Sequence, residues 1–98
     1  MSRLLVSTML PGNTTGERLS LDRRGLNRIP RLGSESKLRL LSLQHNLIIR
    51  LDGLQSTALA SLVFLDLYEN QIERLTGLEP LLSLRVLLLG KNRFSTVS

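Results

Sequence analysis

The 98-residue sequence contains no cysteine and no tryptophan. The missing thiols exclude a disulfide scaffold, a cysteine-held zinc or iron–sulfur site and a thiol nucleophile together. A single histidine, His45, rules out a multi-histidine metal centre. Aromatic side chains are confined to Phe64, Tyr68 and Phe94, too few for a platform on which nucleic-acid bases could stack. No run approaches the roughly 20 apolar residues of a transmembrane helix. Glycines that could cradle a phosphate, Gly12, Gly16, Gly25 and Gly33, stand isolated, and His45 has no cysteine or paired acid at a telling spacing. These absences predict a non-catalytic protein with no cofactor, no metal, no small-molecule substrate and no membrane span.

Leucine is abundant instead: 26 of 98 residues. An excess of that size points to a short leucine-bearing unit that has been repeated. Charge is uneven. Residues 1–50 carry nine Lys/Arg against three Asp/Glu, and residues 51–98 carry four against five, which together give the net +5. The basic first half fits either a solvated arginine-rich surface or a contact with an acidic partner. Nucleic acid is disfavoured, since no lysine run and no aromatic interleaving accompany the arginines. At the start, the apolar stretch from Leu4 to Leu10 is cut short by Pro11-Gly12 without a small-residue cleavage site, which argues against a secretory leader. Residues 1–15 read as a poorly ordered lead-in, and residues 16–98 as one repeat domain.

Four segments align: RLSLDRRGLNRI from Arg18, LLSLQHNLIIRL from Leu40, FLDLYENQIERL from Phe64 and VLLLGKNRFSTV from Val86. Their second positions are Leu19, Leu41, Leu65 and Leu87, at steps of 22, 24 and 22 residues. Leu21, Leu43, Leu67 and Leu89 follow two residues on, and Arg24, Asn46, Asn70 and Asn92 three further. Next come Leu26, Ile48, Ile72 and Phe94, then Ile29, Leu51, Leu75 and Val97. This is the pattern L-x-x-L-x-L-x-x-N-x-L of the leucine-rich repeat. Leucines two apart share one face of a short strand, so the pairs predict strands at Leu19–Leu21, Leu41–Leu43, Leu65–Leu67 and Leu87–Leu89. Asp66, between Leu65 and Leu67, is then expected to point out as a solvated charge. The asparagines 46, 70 and 92 form an expected ladder, satisfying backbone groups inside the turn that leaves each strand.

Gly53-Leu54 and Gly77-Leu78 open the return segments, too short for more than a turn or two of helix, of α or 3₁₀ form. Pro80 fits near the start of such a turn. The two extra residues of the second unit should be absorbed between Gln55 and Ser61. The resulting fold class is α/β: a right-handed leucine-rich-repeat solenoid of about four units, with short parallel strands on the concave side and helical or 3₁₀ turns on the convex side. The first unit, with Arg24 for asparagine and Gly16 for the leading leucine, reads as a terminal cap. The fourth would leave Leu84, Leu87, Leu89 and Phe94 uncovered, which is expected of a domain truncated at its C-terminus or of one that dimerises through that face.

The 22-residue period, with Gly-Leu after the wall and LxxL leading into each strand, resembles the intracellular leucine-rich repeats of a nuclear protein phosphatase 1 regulator and of an axonemal dynein light chain. More narrowly, RLSLDRRGL (18–26), LRLLSLQHNLI (38–48) and LDLYENQIERLTGL with LRVLLLGKNR (within 65–93) resemble the leucine-rich-repeat subunits of tubulin polyglutamylase complexes. The stretch from Arg31 to Lys37 departs from that pattern. The resemblance implies a protein-binding scaffold in a microtubule-modifying assembly, cytoplasmic and associated with the cytoskeleton or cilia. The alternative it leaves open is a regulator of the phosphatase or dynein type.

In such a coil the outward strand positions form columns on the concave side. They are Arg18, Leu40, Phe64, Val86; then Ser20, Ser42, Asp66, Leu88; then Asp22, Gln44, Tyr68, Gly90; then Arg23, His45, Glu69, Lys91. Leu40, Phe64, Val86 and Leu88 are apolar where water favours polar side chains, with Tyr68 beside them. Aromatic and apolar anchors flanked by charges mark a protein interface, so these five are the candidate binding residues.

Overall fold

The structure, a computed structural model, describes residues 17–32 and 37–94. The lead-in expected over 1–15, the closing Val97 and most of the departing stretch after Arg31 lie outside the described residues. Four strands form a single sheet: β1 Arg18–Ser20, β2 Leu40–Ser42, β3 Phe64–Asp66 and β4 Val86–Leu88. The order is sequential and every pair is parallel. The register sets Leu19, Leu41, Leu65 and Leu87 side by side. The register holds across steps of 22, 24 and 22 residues, so each apolar pair lands on the next without a one-residue slip, which would carry leucines out of the core.

The strands start one residue before the leucine pairs and end one residue before the second leucine. The ladder nevertheless continues past them. The Leu21, Leu43 and Leu67 amides donate to Ser42, Asp66 and Leu88 carbonyls at 2.8 Å each. Two residues further, Arg23, His45 and Glu69 donate to Gln44, Tyr68 and Gly90 carbonyls at 2.9, 3.0 and 2.8 Å. There the chain leaves the sheet. Arg23, His45, Glu69 and Lys91 all take φ of 55° to 58°, the left-handed region that costs an L-residue about 1–2 kcal/mol. In the first three units the inter-strand bond made by the same residue offsets that cost.

Beneath the sheet lies one core. Leu38 and Leu62 precede their strands, Leu41, Leu43, Leu65 and Leu67 belong to the strand faces, and Ile48 and Ile72 follow the turns; all are buried. Leu19, Leu21 and Ile29 extend it into the first unit, while Leu84, Leu87, Leu89 and Phe94 pack on it half-buried in the fourth. The wall position differs between units. Leu51 is buried, but Leu75, expected to complete the wall, is 51% exposed. Leu78 and Leu81 pack against the core in its unit instead.

The return segments also differ. Thr57–Leu59 forms a 3₁₀ turn capped by Ser56, whose Oγ accepts from the Ala58 amide at 3.2 Å. The longer second unit therefore absorbs its extra residues here, burying Ala58 and Leu59. Residues 77–84 form turns and no helix: the Leu81 amide bonds to Leu78 and the Leu82 amide to Pro80. The helical turn expected at Pro80 is absent: the Leu81 amide closes one turn on Leu78 and the Leu82 amide folds back to Pro80, so no run of successive helical bonds develops. Gly77 has a stricter role than its neighbours. Its φ is +87°, and a Cβ placed on it would lie 2.9 Å from the Leu51 carbonyl oxygen, so the second and third units touch where no side chain fits.

Candidate binding face and the ladders beneath it

Each asparagine bonds its own unit and the one before. Asn70 is buried. Its Oδ1 accepts from the Ile48 amide at 3.1 Å, and its Nδ2 donates to the Leu43 and Leu67 carbonyls at 2.9 and 3.1 Å. Asn92 repeats this with the Ile72 amide and the Leu67 and Leu89 carbonyls. Asn46 is also buried; its Oδ1 takes two amides, Arg24 at 2.9 Å and Leu26 at 3.0 Å, and its Nδ2 reaches the Leu21 and Leu43 carbonyls. Arg24 holds the equivalent place in the first unit. A guanidinium has no acceptor, so the ladder cannot extend through its side chain toward earlier residues.

On the outer side of the sheet, Leu40, Phe64 and Val86 are direct register neighbours, as are Asp66 and Leu88. Leu40 and Phe64 are half-buried, whereas Val86 and Leu88 are 37% and 39% exposed. Apolar surface thus increases toward β4. Tyr68, half-buried, lies two residues beyond Asp66 along the same face. Its ring meets His45 edge-on at 5.8 Å between centroids, and Lys91 Nζ sits 5.9 Å from its centre. His45 Nδ1 is in turn 3.2 Å from Glu69 Oε1.

A second polar ladder crosses this face. Asp22 Oδ1 accepts from Ser42 Oγ at 2.7 Å and from the Gln44 amide at 2.8 Å. Gln44 Nε2 then donates to Asp66 Oδ2, while Asp66 Oδ1 accepts the Tyr68 amide at 3.1 Å. Asp66 is consequently only 5% exposed. The expectation of a solvated Asp66 is corrected: the side chain points outward, but Gln44 and the Tyr68 backbone cover it. Sequence spacing missed this network because its bonds from Asp22 to Ser42 and from Gln44 to Asp66 step between two adjacent columns. The available signal was polar residues at Asp22 and Gln44 in one column beside Ser42 and Asp66 in the next. The left-handed column was missed for another reason: none of its residues is glycine or asparagine, and His45 is its one residue of a type enriched in that conformation.

Among the described residues, no group of three or more His, Asp and Glu could hold a metal ion, and no helix is long and apolar enough to cross a membrane. The geometry offers a mixed apolar and polar surface held by backbone ladders, suited to contact with another macromolecule's side chains.

No protein-family model matches the chain, and no solved structure does. Among curated proteins it is similar to Leucine-rich repeat-containing protein 49 of Homo sapiens, with 50% identity over 65 residues. The match takes in 66% of this chain and spans 9% of the length of that protein. Repeat spacing, parallel pairing of the leucines and this match agree: the chain carries leucine-rich repeats.

Proposed function

We propose that the chain is a non-catalytic protein-binding scaffold whose units wind as a right-handed solenoid and whose concave face holds the partner through Leu40, Phe64, Tyr68, Val86 and Leu88. The observation that carries this reading is the apolar row Leu40–Phe64–Val86 on the open face of the sheet. No core requirement explains it, because Leu41, Leu65 and Leu87 fill the other face. Burial of such a row at a partner contributes about 25 cal/mol per Å² of apolar surface covered. The specific setting we propose is a microtubule-modifying assembly of the tubulin polyglutamylase type, in the cytoplasm at the cytoskeleton or cilia. It rests on the resemblance of LYENQIE and LRVLLLGKN (67–73 and 84–92) to subunits of such complexes, and the 50% identity over 65 residues is compatible with it. The phosphatase-regulator and dynein-light-chain types share the repeat and remain the alternative.

The test is affinity capture from ciliated cells with the chain and with its Phe64→Ala/Tyr68→Ala variant, the folding of both being checked by circular dichroism. Recovery of polyglutamylase subunits, lost in the variant, supports the assignment. Recovery of phosphatase or dynein subunits favours the alternative. Undiminished capture by a folded variant removes the partner from the concave face.

A further inference from the structure

Arg28, Arg50 and Arg74 hold the same place in three successive units, each immediately before the wall residue Ile29, Leu51 or Leu75. All three are exposed, as is Arg31. Arg28, Arg31 and Arg50 line a groove of about 850 Å³ between the loops at 27–32 and 49–56, none of whose lining residues belongs to a strand. Ile29 and Leu32 are buried at its base, and Ile49, also lining it, is 45% exposed. Among the described residues, Asp52 is the one acid in the lining.

We propose that this groove binds an acidic peptide segment that carries apolar side chains among its carboxylates. Charge complementarity selects the acid. Three guanidiniums face one carboxylate, and like charges on adjacent units repel until an anion is placed between them. Guanidinium pairs with carboxylate through two parallel hydrogen bonds, which orients as well as attracts. Ile49 selects the apolar component, since its half-exposed side chain gains by being covered. The volume accommodates several side chains rather than one ion. A nucleic-acid strand fits less well: no lining residue is aromatic, so no base is stacked, and Asp52 repels an unbroken line of phosphates. This site is separate from the concave face, and either can fail without the other.

The experiment titrates the 98-residue chain into a fluorescein-labelled peptide Glu-Leu-Glu-Glu-Leu-Glu and follows anisotropy, with an oligothymidylate as the second probe. Arg28→Glu/Arg50→Glu removes two groove cations. Arg39→Glu/Arg85→Glu is the control, at two exposed arginines outside the groove, and it changes the net charge equally, from +5 to +1 in both cases. The site requires peptide binding that weakens about tenfold or more in the groove variant, by less than about threefold in the control, and as salt rises from about 0.15 to about 0.5 M. Absence of peptide binding overturns the proposal. So does an equal loss in both variants, which reduces the effect to net charge, or tighter binding of the oligothymidylate, which makes the groove a nucleic-acid site.

Discussion

The ring of Tyr68 occupies the space where any residue but glycine at position 90 would carry its side chain. A Cβ on Gly90 would lie 3.0 Å from both Cδ1 and Cε1 of the ring. The two residues are equivalent positions of adjacent units, so the missing side chain of one unit lets the aromatic of the previous unit lie across it. His45 at the ring edge and Lys91 near its face complete the setting.

Gly90 does not adopt a positive φ, so alanine is compatible with its backbone and the ring is the element that must yield. Tyr68 is the one tyrosine of a chain without tryptophan, so tyrosine fluorescence reports this site alone. Gly90→Ala is expected to increase acrylamide quenching of that fluorescence while lowering stability by less than about 1 kcal/mol. Unchanged quenching would mean that the ring does not depend on the space above Gly90.

Gly77 and Gly53 both need positive φ, but only Gly77 faces a carbonyl within 3 Å; a Cβ on Gly53 would meet the Ile29 oxygen at 3.7 Å. Alanine at either position carries the left-handed penalty of about 1–2 kcal/mol. Gly77→Ala adds displacement of the Leu51 backbone and is expected to cost at least about 1 kcal/mol more than Gly53→Ala. Urea melts of the two variants make the comparison, and equal midpoints would show that the second and third units separate freely there.

Asn70→Ala leaves the Ile48 amide without its side-chain acceptor and removes one of the two asparagine donors from each of the Leu43 and Leu67 carbonyls, and is expected to cost about 1–3 kcal/mol. A urea melt within about 0.5 kcal/mol of the parent would show that water replaces the ladder at little cost.

Asp66→Ala tests the second ladder. It strips the acceptor from Gln44 Nε2 and from the Tyr68 amide, and a loss of about 1–3 kcal/mol is expected. Asp66→Asn retains one carboxamide oxygen and should recover part of the loss. If Asp66→Ala is neutral, the polar crossing contributes no net stability.

The strands were legible in the leucine spacing: the two-residue alternation puts Leu41, Leu65 and Leu87 on one face, and repetition of one unit at steps of 22 and 24 residues runs successive strands in the same direction. The row Leu40, Phe64 and Val86 follows from the same period. Asp66 was not legible, because outward position was equated with hydration, whereas its covering group comes from Gln44 on the neighbouring strand. Leu75 was misplaced because the period describes what a unit offers to the core, while in this unit Leu78 and Leu81, the counterparts of the buried Leu54 and Leu59 in the return segment, take up that wall. The fit of Tyr68 to Gly90 joins residues 22 positions apart and depends on side-chain direction, which the repeat does not encode.

The claim that the open face of the sheet carries the partner is tested most directly by a photo-cross-linking residue, benzoylphenylalanine, at Val86 in cells, with the same residue at Glu79 for comparison. Val86 ends the apolar row, and Glu79 is exposed in the return segment away from the strands. The account predicts discrete protein adducts from position 86 that disappear when Phe64 and Tyr68 are also alanine, and none of these adducts from position 79. The same adducts from both positions, or adducts from position 79 alone, would contradict it.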